Sequence, residues 1–151
     1  MDRDWLRALF DLWQQPDNAT DLDVAFGAFY TDPVIVNGGE ISIADMVVRA
    51  RTLNAAFEAL TAEILQVVGG GDVVGGGDGS LAVAFVMRGR HTGPYAGPFG
   101  IVEPTGIDVD IRTIDILTLT DGKVSKIWVN ADDLGLLRQL GAVSGTTAGS
   151  V

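Results

Sequence analysis

Residues 113–119, TIDILTL, set a carboxylate into a run of apolar and β-branched residues. Side chains alternate between faces along a strand, so Val109, Ile111, Thr113, Asp115, Leu117 and Leu119 form one row. The other row, Asp108, Asp110, Arg112, Ile114, Ile116 and Thr118, is the more polar. The first row is therefore expected to face inward and to take Asp115 with it. A carboxylate placed there must be hydrogen-bonded, paired, or held protonated by a raised pKa. The same conditions tune a general acid or base toward neutral pH. A hydrogen-bonded structural aspartate, or a bulge that turns it outward, is the other reading of these residues.

Two further groups are candidates for proton transfer. His91, the sole histidine, ends a strand within RGRHTGP, and a neutral imidazole can both donate and accept near pH 7. It can equally fix the Thr-Gly-Pro turn that follows. Asp32 stands with Tyr30 and Asn37 in or beside a short strand expected to line the rim of a cavity, where an acid could meet Asp115. It also precedes Pro33, a setting where aspartate often serves a turn. On the last strand Ile127 and Val129 share the face expected to look into the pocket. Trp128 and Asn130 share the other, where Trp128 suits packing or a dimer contact. Tyr30 and Asn130 are candidates for orienting a substrate, and Asn37, Phe85, Thr113 and Val129 complete the expected substrate-contacting set. Asp132 and Asp133 precede a short helix, and one of them is expected to cap it.

The elements that must position these residues follow from the pattern. Residues 2–14 carry an apolar stripe at helical spacing before Pro16. A second helix is expected from an N-cap at Thr20 through DVAFGAFY, followed by a strand, DPVIVNGG, closed by a Gly-Gly turn. Residues 43–60 form the longest helical pattern. Then TAEILQVV, LAVAFVMRGRH, DVDIRTIDILTLT and KVSKIWVN read as an antiparallel meander, and DDLGLLRQLG as a helix. The glycine-rich GGGDVVGGGDG is expected to be a flexible hairpin loop, since no helix follows it to face a phosphate. The fold class is thus α+β, a curved antiparallel sheet wrapped around N-terminal helices to form a cone with an internal pocket. One domain is expected over residues 1–143, with 144–151, SGTTAGSV, as a disordered tail.

Composition narrows the function classes. Ten basic and twenty acidic side chains give a formal charge of −10, which repels nucleic acid and anionic membrane surfaces. Cysteine is absent, so disulfides, thiolate catalysis and zinc–thiolate sites are excluded. A single histidine excludes a multi-histidine metal site, and no Asp-rich loop has calcium-binding spacing. No metal is expected. No apolar run reaches the roughly 18 residues that span a bilayer. MDRDWLRALF lacks a signal peptide's basic start and small-residue cleavage site, so a cytoplasmic protein is expected.

RGRHTGPYAG, EPTG and DGKVSKIWVNADDLGLLRQLG, in that order and spacing, resemble the SnoaL-like polyketide cyclases. These are often labelled ester cyclases and belong to the nuclear-transport-factor-2-like superfamily. FYTDP is similar to that family's early tyrosine-x-Asn/Asp-Pro element. The resemblance implies a deep apolar pocket for a small hydrophobic substrate, a homodimer and no required cofactor. Family members close rings on polyketides by aldol chemistry or oxygen attack. Relatives hydrolyse epoxides, shift double bonds or only bind ligands. Aligned on Asp121-Gly122-Lys123, the family's catalytic aspartate falls on Val129, its pocket histidine on Asp115, its pocket glutamine on Thr113, and the early asparagine on Asp32. A hydrocarbon transfers no proton. Acid–base function is therefore expected at Asp115, with Asp32 or His91 as partner; an epoxide hydrolase or isomerase of the same fold, or a non-catalytic small-molecule-binding or dimerisation domain, is the alternative.

Overall fold

Two α-helices open a computed structural model that describes residues 3–69 and 78–143. Most of the glycine-rich segment and the SGTTAGSV tail, for which a loop and disorder are expected, lie outside the described residues. Helix α1 (Arg3–Gln14) buries Leu6, Leu9 and Phe10, a three-and-four spacing that gives one apolar stripe. In α2 (Leu22–Phe29) the cap is Asp21 rather than Thr20: its carboxylate accepts the Val24 N–H at 3.2 Å. Strand β1 (Tyr30–Val36) then turns through Asn37 and Gly38, both at positive φ (50° and 86°), into β2 (Gly39–Ile41). The turn is thus Asn-Gly rather than the Gly-Gly expected, a pair suited to tight hairpins.

Helix α3 (Ile43–Ala56) begins at Ser42, whose hydroxyl accepts the Asp45 N–H at 3.1 Å. It stops four residues short of the helical pattern in the sequence. Phe57 is already extended and pairs with His91, as the start of β3 (Phe57–Gly69) against β4 (Gly79–His91). Ala59 adopts φ 53°, and the β3–β4 register shifts between Glu58 and Thr61. That bulge buries Phe57 and Leu60 together. A three-residue spacing inside a strand therefore imitates a helix.

The main sheet runs β2-β1-β8-β7-β4-β3, with β7 (Asp108–Thr120) and β8 (Lys123–Ala131) completing the antiparallel meander. The N-terminal strand β1 joins it parallel to β8. A small hairpin, β5 (Tyr95–Gly97) with β6 (Gly100–Val102), branches off between β4 and β7. Its strands are three residues each, too short to show alternation in the sequence. The short helix α4 (Asp133–Gln139) closes the described chain, capped by Asp132 on the Gly135 N–H at 2.9 Å. The architecture is α+β, a curved and unclosed sheet against N-terminal helices. Its inner face packs on α1, α2 and α3, while Ile114, Ile116 and Trp128 stand exposed on the outer face. Among the described residues no helix is long and apolar enough to cross a membrane.

Candidate active site

Between the inner sheet face and the helices lies a cavity of about 300 Å³. Hydrocarbon and aromatic side chains make most of its wall. Tyr30, Thr113 and Asp115 supply polar groups on its sheet side, and Arg49 and Asp133, both exposed, bring charge where it meets solvent.

Asp115 reaches the cavity because β7 alternates as its sequence requires. Val109, Ile111, Thr113, Leu117 and Leu119 are buried, and Asp115 sits in their row. β7 is flanked on both sides in mid-sheet, so the carboxylate's neighbours across the strands are Val83 and Val129. Neither side chain can donate a hydrogen bond. One carboxylate oxygen is buried with no partner among the described residues. Burial raises the pKa from 3.8 to about 7, because the charged form loses solvation and gains no donor in return.

Tyr30 belongs to the same polar corner. The chain enters β1 from α2 at this residue, which is 4% exposed, and the Trp13 indole N–H donates to its phenol oxygen at 2.9 Å. With that oxygen accepting from Trp13, the phenol's own proton is left to donate elsewhere. Burial holds the phenol well above its ordinary pKa; the Trp13 bond opposes this and the nearby Asp115 charge reinforces it. Tyr30 is thus a protonated donor beside a carboxyl group poised near neutrality. Thr113 is buried one inward position along from Asp115, and Phe85, ring centroid 4.6 Å from that of Phe10, and Val129 are also wall residues.

The remaining sequence candidates lie elsewhere. Asp32 is not brought to Asp115: its exposed carboxylate accepts the Ile43 N–H at 3.2 Å, at the first turn of α3. It serves a helix N-terminus, where backbone donors and the helix dipole favour an anion. Asn37 occupies its turn and accepts the Val129 N–H at 2.8 Å, pinning the β1–β2 hairpin to β8. Asn130 is exposed on the outer sheet face, away from the cavity.

His91 is fully buried but is not a wall residue of the cavity. Its Nδ1 accepts the Thr105 N–H at 3.2 Å and lies 3.0 Å from the Thr105 hydroxyl, while its ring packs on Phe57. A backbone N–H can only donate, so Nδ1 is an acceptor and the ring proton sits on Nε2, which has no partner among the described residues. The backbone closes the same knot: His91 N–H to Ile107, Gly106 N–H to His91, and the Thr92 and Gly93 N–H groups to Ala56. A Cβ on Gly93 would collide with the Ala55 carbonyl. The HTG and EPTG motifs together fasten the loop around β5 and β6 to the end of α3.

Sequence reasoning missed Trp13, Arg49, Tyr95 and Asp133 as wall residues. For Trp13 and Arg49 a signal existed, since each shares a helical stripe with apolar wall residues. Among the described residues no cluster of three or more His, Cys, Asp or Glu is placed to hold a metal ion.

The model of the SnoaL-like polyketide cyclase family matches residues 3–140, and the chain belongs to that family. The fold is shared with TsrD from Streptomyces laurentii, at 22% identity and TM-score 0.74 over 93% of this chain and 95% of that one. It is shared with wild-type IdmH from Streptomyces antibioticus, at 18% identity and TM-score 0.69 over 92% and 97% of the two chains. A SnoaL-like polyketide cyclase from Agrobacterium tumefaciens matches at 18% identity and TM-score 0.68, over 91% and 94%. No curated protein matches the sequence.

Proposed function

We propose that the protein is a cofactor-independent cyclase that closes a ring on a hydrophobic polyketide-like molecule by acid–base chemistry in this cavity. The observation that carries the proposal is Asp115, a half-buried carboxyl group with one buried, unpartnered oxygen and a pKa raised to about 7. In an aldol-type closure, ionised Asp115 takes a proton from a carbon flanked by carbonyls. The Tyr30 hydroxyl donates to the resulting enolate oxygen. The enolate carbon attacks a second carbonyl of the same molecule, and the alkoxide formed takes the proton back from Asp115. No proton is gained or lost overall. In an oxygen-attack closure Asp115 would deprotonate a hydroxyl instead. Apolar walls exclude water and strengthen both contacts.

Tyr30, rather than Asp32, is the partner this reading needs, and His91 acts by holding the loop. An epoxide hydrolase would require an arginine between two carboxylates; Arg112 is exposed on the opposite face of β7 from Asp115, and Arg49, on the cavity wall, makes no ion pair with Asp115 or Asp133 among the described residues. The family aspartate's replacement by Val129 favours a second reading, a binding cavity without catalysis.

Linear polyketide-type compounds that raise the melting temperature would supply substrates for a direct test. Asp115→Asn is expected to lower kcat by about 10²–10⁴-fold while binding changes little. The wild-type rate should rise with pH through about 7 as Asp115 ionises. Full turnover by the variant would remove Asp115 from the mechanism, and binding without turnover in the wild type would support the second reading.

A further inference from the structure

Helix α3 turns one stripe toward the cavity: Met46, Arg49 and Leu53 all belong to its wall, at the three- and four-residue spacing that aligns side chains on a helix. Arg49 is the only basic residue among the described residues of that wall. It is exposed, so its guanidinium stands at the solvent end, with the apolar interior behind it.

Its surroundings differ from those of Arg51, Arg88 and Arg90. Arg51 pairs with Asp17, Arg88 with Glu63 and Asp110, and Arg90 with Asp108. Arg49 has no ion pair among the described residues, although the chain carries twenty acidic side chains. Asp133, the exposed acid on the cavity wall, lies near Tyr95, whose phenol is held above its ordinary pKa by burial and, less, by the Asp133 charge. It forms no ion pair with Arg49. The mouth therefore carries one cation and one anion that do not neutralise each other. An anionic head group would be drawn to the Arg49 side and repelled from the Asp133 side. A planar guanidinium suits a carboxylate, which it can hold through two parallel N–H···O bonds.

Resting on the reading of the cavity as the substrate site, we propose that the substrate carries a carboxylate, held by Arg49 at the mouth while its apolar body extends inward to Asp115. Arg49 is then a specificity-determining residue. It also counters, locally, a net charge of −10 that would otherwise disfavour an acidic ligand.

Calorimetric titration with 1-naphthoate and with 1-naphthamide, a neutral molecule of similar shape, tests this without turnover. Wild-type protein should bind the carboxylate about tenfold more tightly than the amide, with the preference shrinking at high salt. Arg49→Gln should abolish the preference and leave the amide's affinity unchanged, and Arg49→Lys should retain part of it. Equal affinity for the two probes, a preference that survives Arg49→Gln, or no binding of either probe to the wild type would overturn the proposal. Because Asp115→Asn should keep the carboxylate preference, failure of the acid–base reading and failure of this one are separately visible.

Discussion

Two ionisable groups, half-buried Asp115 and fully buried His91, sit at opposite ends of the question of what a polar side chain does inside a protein. Both are on strands of one sheet, and each has one atom without a partner among the described residues. Around His91 the remaining contacts form a closed network: Thr105 serves the ring, and the adjoining backbone groups serve each other. Around Asp115 there are two valines and a cavity. A buried polar group that is tied in is an instrument of shape. One left untied against a cavity is available to a ligand, and its energetic cost is the mark of that availability.

The contrast is sharpened most by the pH dependence of stability. Unfolded Asp115 titrates near 3.8 and folded Asp115 near 7. Between those values the native state holds more protons than the unfolded one, so this group makes stability fall as pH rises from about 4 to about 7, and level off above. Asparagine carries no charge and escapes that cost. Thermal or urea unfolding should find Asp115→Asn more stable than wild type at about pH 8, by up to about 4 kcal/mol, and the gain should vanish at about pH 4. A variant no more stable at pH 8 would mean that the carboxylate is well solvated or paired.

Next in size is Tyr30→Phe. It removes the hydroxyl that would donate to the developing enolate but keeps the ring, which stacks on Phe26 with centroids 5.7 Å apart. A loss of about 100-fold in kcat, or about 2.7 kcal/mol in barrier, is expected, with a small change in KM. An unchanged kcat would leave the phenol with only its bond to Trp13. The smallest effect tests the other end of the comparison. His91→Phe strips the Thr105 N–H and hydroxyl of their acceptor and should cost about 2 kcal/mol of stability, read by chemical denaturation. Activity per folded molecule should be retained. A collapse of kcat with stability intact would make His91 part of the chemistry.

Much of this was legible in the sequence, for physical reasons. A strand buried on one face must alternate, so the inward row of β7 and the place of Asp115 could be read from residues 108–119. The helical stripe of α1 and the meander of long strands were equally plain, and the HTG and EPTG motifs pointed to the family. What those motifs do was less plain, because hydrogen bonding to Thr105 and close packing of Gly93 on Ala55 join segments distant in sequence. Asp32 misled for a related reason: the N–H it accepts belongs to Ile43, beyond a hairpin that folds back on it. The parallel β1–β8 pairing and the bulge at Ala59 leave no local periodic trace, and the bulge even mimics a helix. The Trp13–Tyr30 bond, which turns an ordinary core tyrosine into a directed donor, joins α1 to β1 and could be found only in three dimensions.

The central claim is that Asp115 is a carboxyl group poised near neutrality inside the cavity. Its titration can be followed without any substrate, by carbon-13 NMR of protein labelled at the aspartate side-chain carboxyl carbon, with Asp115→Asn to assign the resonance. A midpoint near 7 is expected; a midpoint near 4, like that of a solvated aspartate, would rule it out.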